Sequence, residues 1–221
     1  MAINLDLSKE VKLDLNKGAG ISLNLDKGEY VNLSGNKLDS VRLRAGVGWN
    51  IKTQEQTTGL FFKRTAKVQK PIDLDLVLKL MSDGEKVGAV YFGNKHAKGI
   101  DLDHDDLTGS SNAIDVNFMC NSTAKDNENT TINLLQVNKH IDEIQIAICI
   151  YNNYYFEDID NAYCKLVDET NNRVICSTIM QNDGGRNQTL HFASLKKTDD
   201  GQWVFEAVQE YKQGKIGQYL K

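Results

Sequence analysis

Ile72-Asp73-Leu74-Asp75-Leu76-Val77-Leu78-Lys79, the turn pair Asp83-Gly84, and the run of residues 87–92 together read as a β-hairpin. Asp-Gly is the dipeptide of a tight two-residue turn, and an apolar run on either side of it is the strongest short-range hairpin signal. Residues two apart in a strand share a face. Asp73 and Asp75 therefore point to one side, while Ile72, Leu74 and Leu76 point into a core. Two anions side by side repel unless a cation or hydrogen-bond donors compensate them.

The same period of two recurs along the chain. The first 35 residues repeat one unit: Leu5-x-Leu7-x-Lys9, Leu13-x-Leu15-x-Lys17, Leu23-x-Leu25-x-Lys27 and Val31-x-Leu33-x-Gly35, with turn residues such as Asn16-Lys17-Gly18 and Asp26-Lys27-Gly28 between them. Further alternating runs occupy residues 40–49, 113–119, 143–151, 160–168, 173–180, 188–196 and 202–209. The polar stretch 51–71, which ends in the single proline, Pro71, reads as a long loop. Helix is confined to a turn near residues 135–140 and a short segment around 213–220. Many short strands at regular spacing predict an all-β protein, an antiparallel sandwich. An added hairpin or arm at residues 1–20 precedes the main domain at 21–221. Its apolar face, Leu5, Leu7, Leu13 and Leu15, needs a sheet edge or a second chain to cover it, which predicts self-association or a protein partner.

Composition narrows the function. The 221 residues carry 26 Lys plus Arg against 30 Asp plus Glu, a formal net charge of −4, so nucleic acid is not the expected main partner. The basic residues Lys63, Arg64, Lys67 and Lys70 read as a solvated loop. No apolar run reaches the roughly 20 residues of a membrane span. The first residues lack a basic leader with a hydrophobic block, which places the expected location in the cytosol. Four cysteines at irregular spacing read as reduced structural thiols rather than a zinc site. Scattered histidines, the absence of nucleophile-elbow and zinc-protease motifs, and a Gly46-Val47-Gly48 that lacks the rest of a phosphate loop make a catalytic site unexpected. Oxygen-rich segments stand out instead: Asp73 and Asp75; Asp101-Leu102-Asp103-His104-Asp105-Asp106-Leu107-Thr108-Gly109; and Asp126-Asn127-Glu128. Calcium takes six to eight oxygen ligands, a fit to this donor set equal to that of plain soluble loops; the EF-hand spacing is absent.

Taken in order, several of these segments resemble the TerD family. Gly46-Val47-Gly48-Trp49 followed by Asp73-Leu74-Asp75 resembles its G-x-G-W-D and F-D-L-D segments. Asp105-Asp106-Leu107-Thr108-Gly109 resembles its G-D-N-x-T-G loop, and Asp126-Asn127-Glu128 with Ile132-Asn133-Leu134 its D-D-E-x-I-x-V-D-L segment. Ile141-Asp142-Glu143-Ile144, Asn161-Ala162-Tyr163 and residues 201–208 continue the series. The resemblance runs from about residue 21 to the C-terminus. It implies a two-sheet antiparallel β-sandwich with acidic loops at one end, calcium (Ca2+) held by Asp73, Asp75, Asp105, Asp106, Asp126 and Glu128, and a non-enzymatic part in stress and tellurite resistance. Asn50, Asn127 and His104 depart from the family pattern, and residues 110–124 form an insertion. Each Asp-to-Asn change removes a negative ligand. The alternative expectation is thus a structural or interaction module, for example of a phage particle, that kept the sandwich and weakened its metal sites.

Overall fold

The computed structural model describes residue 27 and residues 29–32, 42–59, 62–110, 125–159, 161–170, 172–180 and 184–221. The predicted extension at residues 1–20, the first repeat units and the predicted strand at 113–119 lie outside the described residues. Fourteen strands are described: β1 (Tyr30–Asn32), β2 (Arg42–Gly48), β3 (Lys52–Thr58), β4 (Arg64–Lys70), β5 (Leu74–Ser82), β6 (Glu85–Val90), β7 (His96–Ala97), β8 (Ile100–Leu102), β9 (Glu128–Asn133), β10 (Glu143–Ile150), β11 (Ala162–Asp168), β12 (Arg173–Met180), β13 (Thr189–Lys197) and β14 (Trp203–Lys212). One helical turn, α1 (Ile216–Tyr219), follows. No described helix is long and apolar enough to cross a membrane.

Two six-stranded antiparallel sheets face each other. The first runs β1-β14-β13-β10-β5-β6 and the second β12-β11-β2-β9-β8-β7. Their inner faces follow from the alternation. Leu43, Ala45, Val47 and Trp49 of the second sheet and Leu74, Leu76, Leu78, Ile144, Ile146 and Ile148 of the first are fully or almost fully buried in one core. A smaller apolar cluster, Val77, Cys149 and Ile216, lies where α1 packs on the outer face of the first sheet. Cys149, Cys164 and Cys176 are buried free thiols, consistent with their reading as small hydrophobes.

The Asp83-Gly84 turn has both residues at positive φ, 52° and 82°, the conformation of a type I′ turn that matches strand twist. It joins β5 to β6 as expected. Residues 51–71 correct the sequence reading. They are not a long loop but a β-hairpin, with β3 and β4 paired only to each other from Lys52↔Lys70 to Thr58↔Arg64. Its described side chains from Glu55 onward are exposed. Along that stretch the side chains of both faces are open to solvent, so no apolar alternation marks it in the sequence. The predicted C-terminal helix is shorter than expected, and β7, β8 and β9 were not anticipated as strands.

Candidate metal centre

Asp73 stands just before β5 and Asp75 is its second residue, at the end of the sandwich from which the β3–β4 hairpin departs. Asp105 comes from the segment that follows β8, on the other sheet. One carboxylate oxygen from each of Asp73, Asp75 and Asp105 lies within 4.8 Å of the others. Asp73 and Asp75 are buried, and Asp73 Oδ1, Asp75 Oδ2 and Asp105 Oδ1 are buried oxygens with no hydrogen-bond partner. At an effective dielectric of about 20, two full charges about 5 Å apart repel by about 3 kcal/mol. Burial is the larger reason that the carboxyls are hard to ionise. It pushes Asp75 up to about 8, with Asp73 and Asp105 adding repulsion. Asp73 is pushed up to about 6 by burial and then by Asp105 and Asp106.

Glu128 connects the two sheets beside this cluster. β6 pairs with β5 only from Leu78 onward, which leaves the N–H of Leu76 beyond its reach. Glu128 Oε2 accepts that hydrogen bond at 2.9 Å, and its Oε1 accepts one from the Asp106 N–H at 3.1 Å. Burial pushes the Glu128 carboxyl up to about 9, against these two donors.

Asp106 has a different part. Its Oδ1 accepts hydrogen bonds from the N–H of Thr108 and of Gly109 and from the Thr108 hydroxyl, and its Oδ2 accepts one from Asn127 Nδ2 at 2.8 Å. Burial is the largest single influence and raises its carboxyl, but the hydrogen bonds together outweigh it and hold Asp106 below the usual range. Asp106 ties its own loop into a turn. Asn127, one of the departures from the family pattern, is the hub of that tie. Its Oδ1 accepts from the Trp49 N–H at 2.9 Å, while its Nδ2 also donates to Ser110 Oγ. An aspartate there would lose the donor that Asp106 receives. Asn50 Nδ2 donates to the Ser110 carbonyl, and Trp49 Nε1 donates to the carbonyl of Ile72, next to Asp73. His104 sits apart, 3.2 Å from Asp103.

Asp126 lies in another cluster, on the outer face of the second sheet. Its Oδ2 pairs with Arg44, and its Oδ1 accepts from Lys165 Nζ at 2.9 Å and from the Tyr163 hydroxyl at 2.9 Å. Lys165 is completely buried; burial lowers its ammonium, with Asp126 pulling the other way. The structure thus brings Asp73, Asp75 and Asp105 together, sets Glu128 and Asp106 around them, and gives Asp126 two cations of its own. The sequence reading missed Arg44, Tyr163 and Lys165. The available signal was a lysine at the centre of the otherwise apolar run Tyr163-Cys164-Lys165-Leu166-Val167.

This second cluster explains the glycines before Trp49. A Cβ at Gly46 would collide with the Asp126 carboxylate, and one at Gly48 would stand 2.5 Å from the Tyr163 ring. The two glycines admit side chains from β11 and the loop before β9. Gly46→Ala should cost about 1–3 kcal/mol by overpacking, since Asp126 is held by three partners and has nowhere to yield. Urea unfolding measures this, and an unchanged midpoint would contradict it.

A family model described as the TerD domain matches residues 21–221. The chain belongs to the TerD family. Among characterised relatives, stress response protein SCP2 of Bacillus subtilis (strain 168) is 25% identical over 220 residues, covering 95% of this chain and 92% of that one. A solved homologue of telluride resistance protein (TerD) from Streptomyces coelicolor A3(2) superposes with a TM-score of 0.62 at 14% identity, covering 82% of this chain and 96% of that one. A second solved protein, described as of unknown function, gives 0.63 at 13% identity over 82% of this chain and 95% of its own. At such identities these two establish the shared β-sandwich fold of this TerD-family chain and no more.

Proposed function

We propose that this TerD-family chain is a non-enzymatic stress-response protein of the SCP2 type that binds calcium between its two sheets, with Asp73, Asp75 and Asp105 as ligands and Glu128 beside them. The observation that carries the reading is the convergence of three carboxylates whose buried oxygens have no partner. Buried polar atoms are satisfied in native proteins as a rule, and an orphaned set marks a missing ion or proton. The donors are all oxygen, with no thiol or imidazole in the group, which suits a hard divalent cation. Bound there, the cation would supply charge neutralisation and cross-linking of β5 to the loop after β8; backbone carbonyls and water would complete its shell. Asp106, with both oxygens engaged, shapes the loop that carries Asp105, and Asp126 is not a ligand in this reading.

Calcium should raise the melting temperature relative to EGTA. A ligand at about 100 times its Kd adds about 2.7 kcal/mol, equivalent to roughly 5–10 °C for a chain of this length. Asp75→Asn should abolish most of that increase, and magnesium should substitute poorly because it demands a tighter octahedral shell. A melting temperature indifferent to both calcium and EGTA would favour a scaffold role without metal.

A further inference from the structure

We propose that the β3–β4 hairpin is a docking arm for an anionic membrane surface, with Phe62 entering the headgroup region and Lys63 and Arg64 meeting lipid phosphates. Nothing in the metal reading is needed for this. An extended strand of seven residues spans roughly 23 Å, so the tip stands more than two Debye lengths from Asp73 at physiological salt.

Three observations point the same way. First, the hairpin is a separate two-stranded sheet with exposed side chains on both faces. A two-stranded ribbon of this kind is marginal in water by itself, and its strands bury no core. Second, Phe62, in the connection between β3 and β4, is 87% exposed, a large aromatic side chain left open to solvent. The neighbouring sequence, Leu60-Phe61, is apolar too. Third, residues 52–70 carry five basic residues against one acidic residue in a chain whose net charge is −4. That local surplus calls for an anionic partner.

The distribution of charge chooses between anionic partners. Halfway along the ribbon Glu55 pairs in register with Lys67, so the faces that a nucleic acid backbone would have to follow are close to neutral at their middle. Of the four cations left over, Lys52 and Lys70 are register partners at the base of the ribbon, and Lys63 and Arg64 adjoin Phe62. An aromatic end with a basic collar matches the membrane interface, where aromatic rings sit among headgroups and each Lys or Arg gains from the negative surface potential.

Sedimentation with vesicles of equal parts phosphatidylcholine and phosphatidylserine tests the assignment, with phosphatidylcholine vesicles and duplex DNA in parallel, each in EGTA and in calcium. The intact protein should sediment with the mixed vesicles in EGTA and much less with phosphatidylcholine alone. Phe62→Ser should weaken the association about tenfold, and Lys63→Glu with Arg64→Glu at least about a hundredfold. Both variants should keep the wild-type melting temperature, because these side chains are exposed and form no part of the sandwich core. Three results would each overturn the proposal: no association with the mixed vesicles in EGTA, association that both variants leave unchanged, or retention on DNA in place of vesicles. Vesicle binding that requires calcium and survives Phe62→Ser would likewise overturn it, moving the contact to the acidic end while leaving the metal site intact.

Discussion

Asp126→Ala is expected to lower stability by about 3–5 kcal/mol, by the same amount in calcium and in EGTA. Asp126 holds one guanidinium and one ammonium, from Arg44 and Lys165, and receives the Tyr163 hydroxyl. Lys165 has no exposure to solvent. Removing the carboxylate takes away the anion that Lys165 Nζ meets at 2.9 Å inside the protein, and breaking a buried pair from one side carries a penalty of this size. For a chain of this length the melting temperature should fall by roughly 6–20 °C. Adding Lys165→Met should restore part of the loss, since it removes the buried charge that Asp126 met and keeps most of the volume. Calorimetry on the single and double variants decides the matter. A single variant that melts like the wild type in EGTA but no longer responds to calcium would make Asp126 a ligand, as the family resemblance implies, and contradict the geometry.

The second large effect concerns pH. In EGTA the protein should become less stable as pH rises from about 4 to about 9. Asp73, Asp75 and Glu128 have carboxyls pushed up to about 6, about 8 and about 9 in the folded chain, burial being the main cause. In the unfolded chain they titrate near 4. Between those values the folded protein holds protons that the unfolded chain has released, so rising pH favours unfolding. The penalty is absent below about pH 4 and complete only above the highest folded value, about 9. Each unit of displacement corresponds to about 1.4 kcal/mol; because neighbouring carboxyls titrate together, a few kcal/mol in all is the reasonable scale. Saturating calcium should flatten the upper part of the profile by replacing the protons as counter-charge. Asp75→Asn should flatten it as well, without needing the metal. Melting temperatures at about five pH values, with EGTA or calcium, give the answer. A profile in EGTA that does not fall across this range would argue that the cluster is already neutralised by something other than protons.

The strands that face a core were legible. Residues 143–150, 173–180 and 189–197 each send apolar side chains into the core (Ile144, Ile146 and Ile148; Ile175 and Met180; Leu190, Phe192 and Leu195), and Asp83-Gly84 announces its turn because few other pairs tolerate two positive φ values in a row. The β3–β4 hairpin was illegible for the same reason inverted. Thr, Gln and Lys on a ribbon whose described side chains from Glu55 onward are exposed carry no period, and a ribbon and a loop then look alike.

The candidate site divides along a similar line. Sequence alone determined that Asp73 and Asp75 share a face, since a strand's period of two requires it, and that Asp105, Asp106, Asp126 and Glu128 lie in oxygen-rich segments. Only the tertiary structure decided what each carboxylate meets. Asp105 and Asp126 are alike as residues in acidic segments, yet one approaches β5 from the opposite sheet and keeps an unpartnered oxygen. The other is met by Arg44 of β2 and Lys165 of β11, from 82 positions before it and 39 after it in the chain. A carboxylate's role depends on the charges within a few ångströms of it, and those charges are brought by sheet pairing between segments distant in sequence.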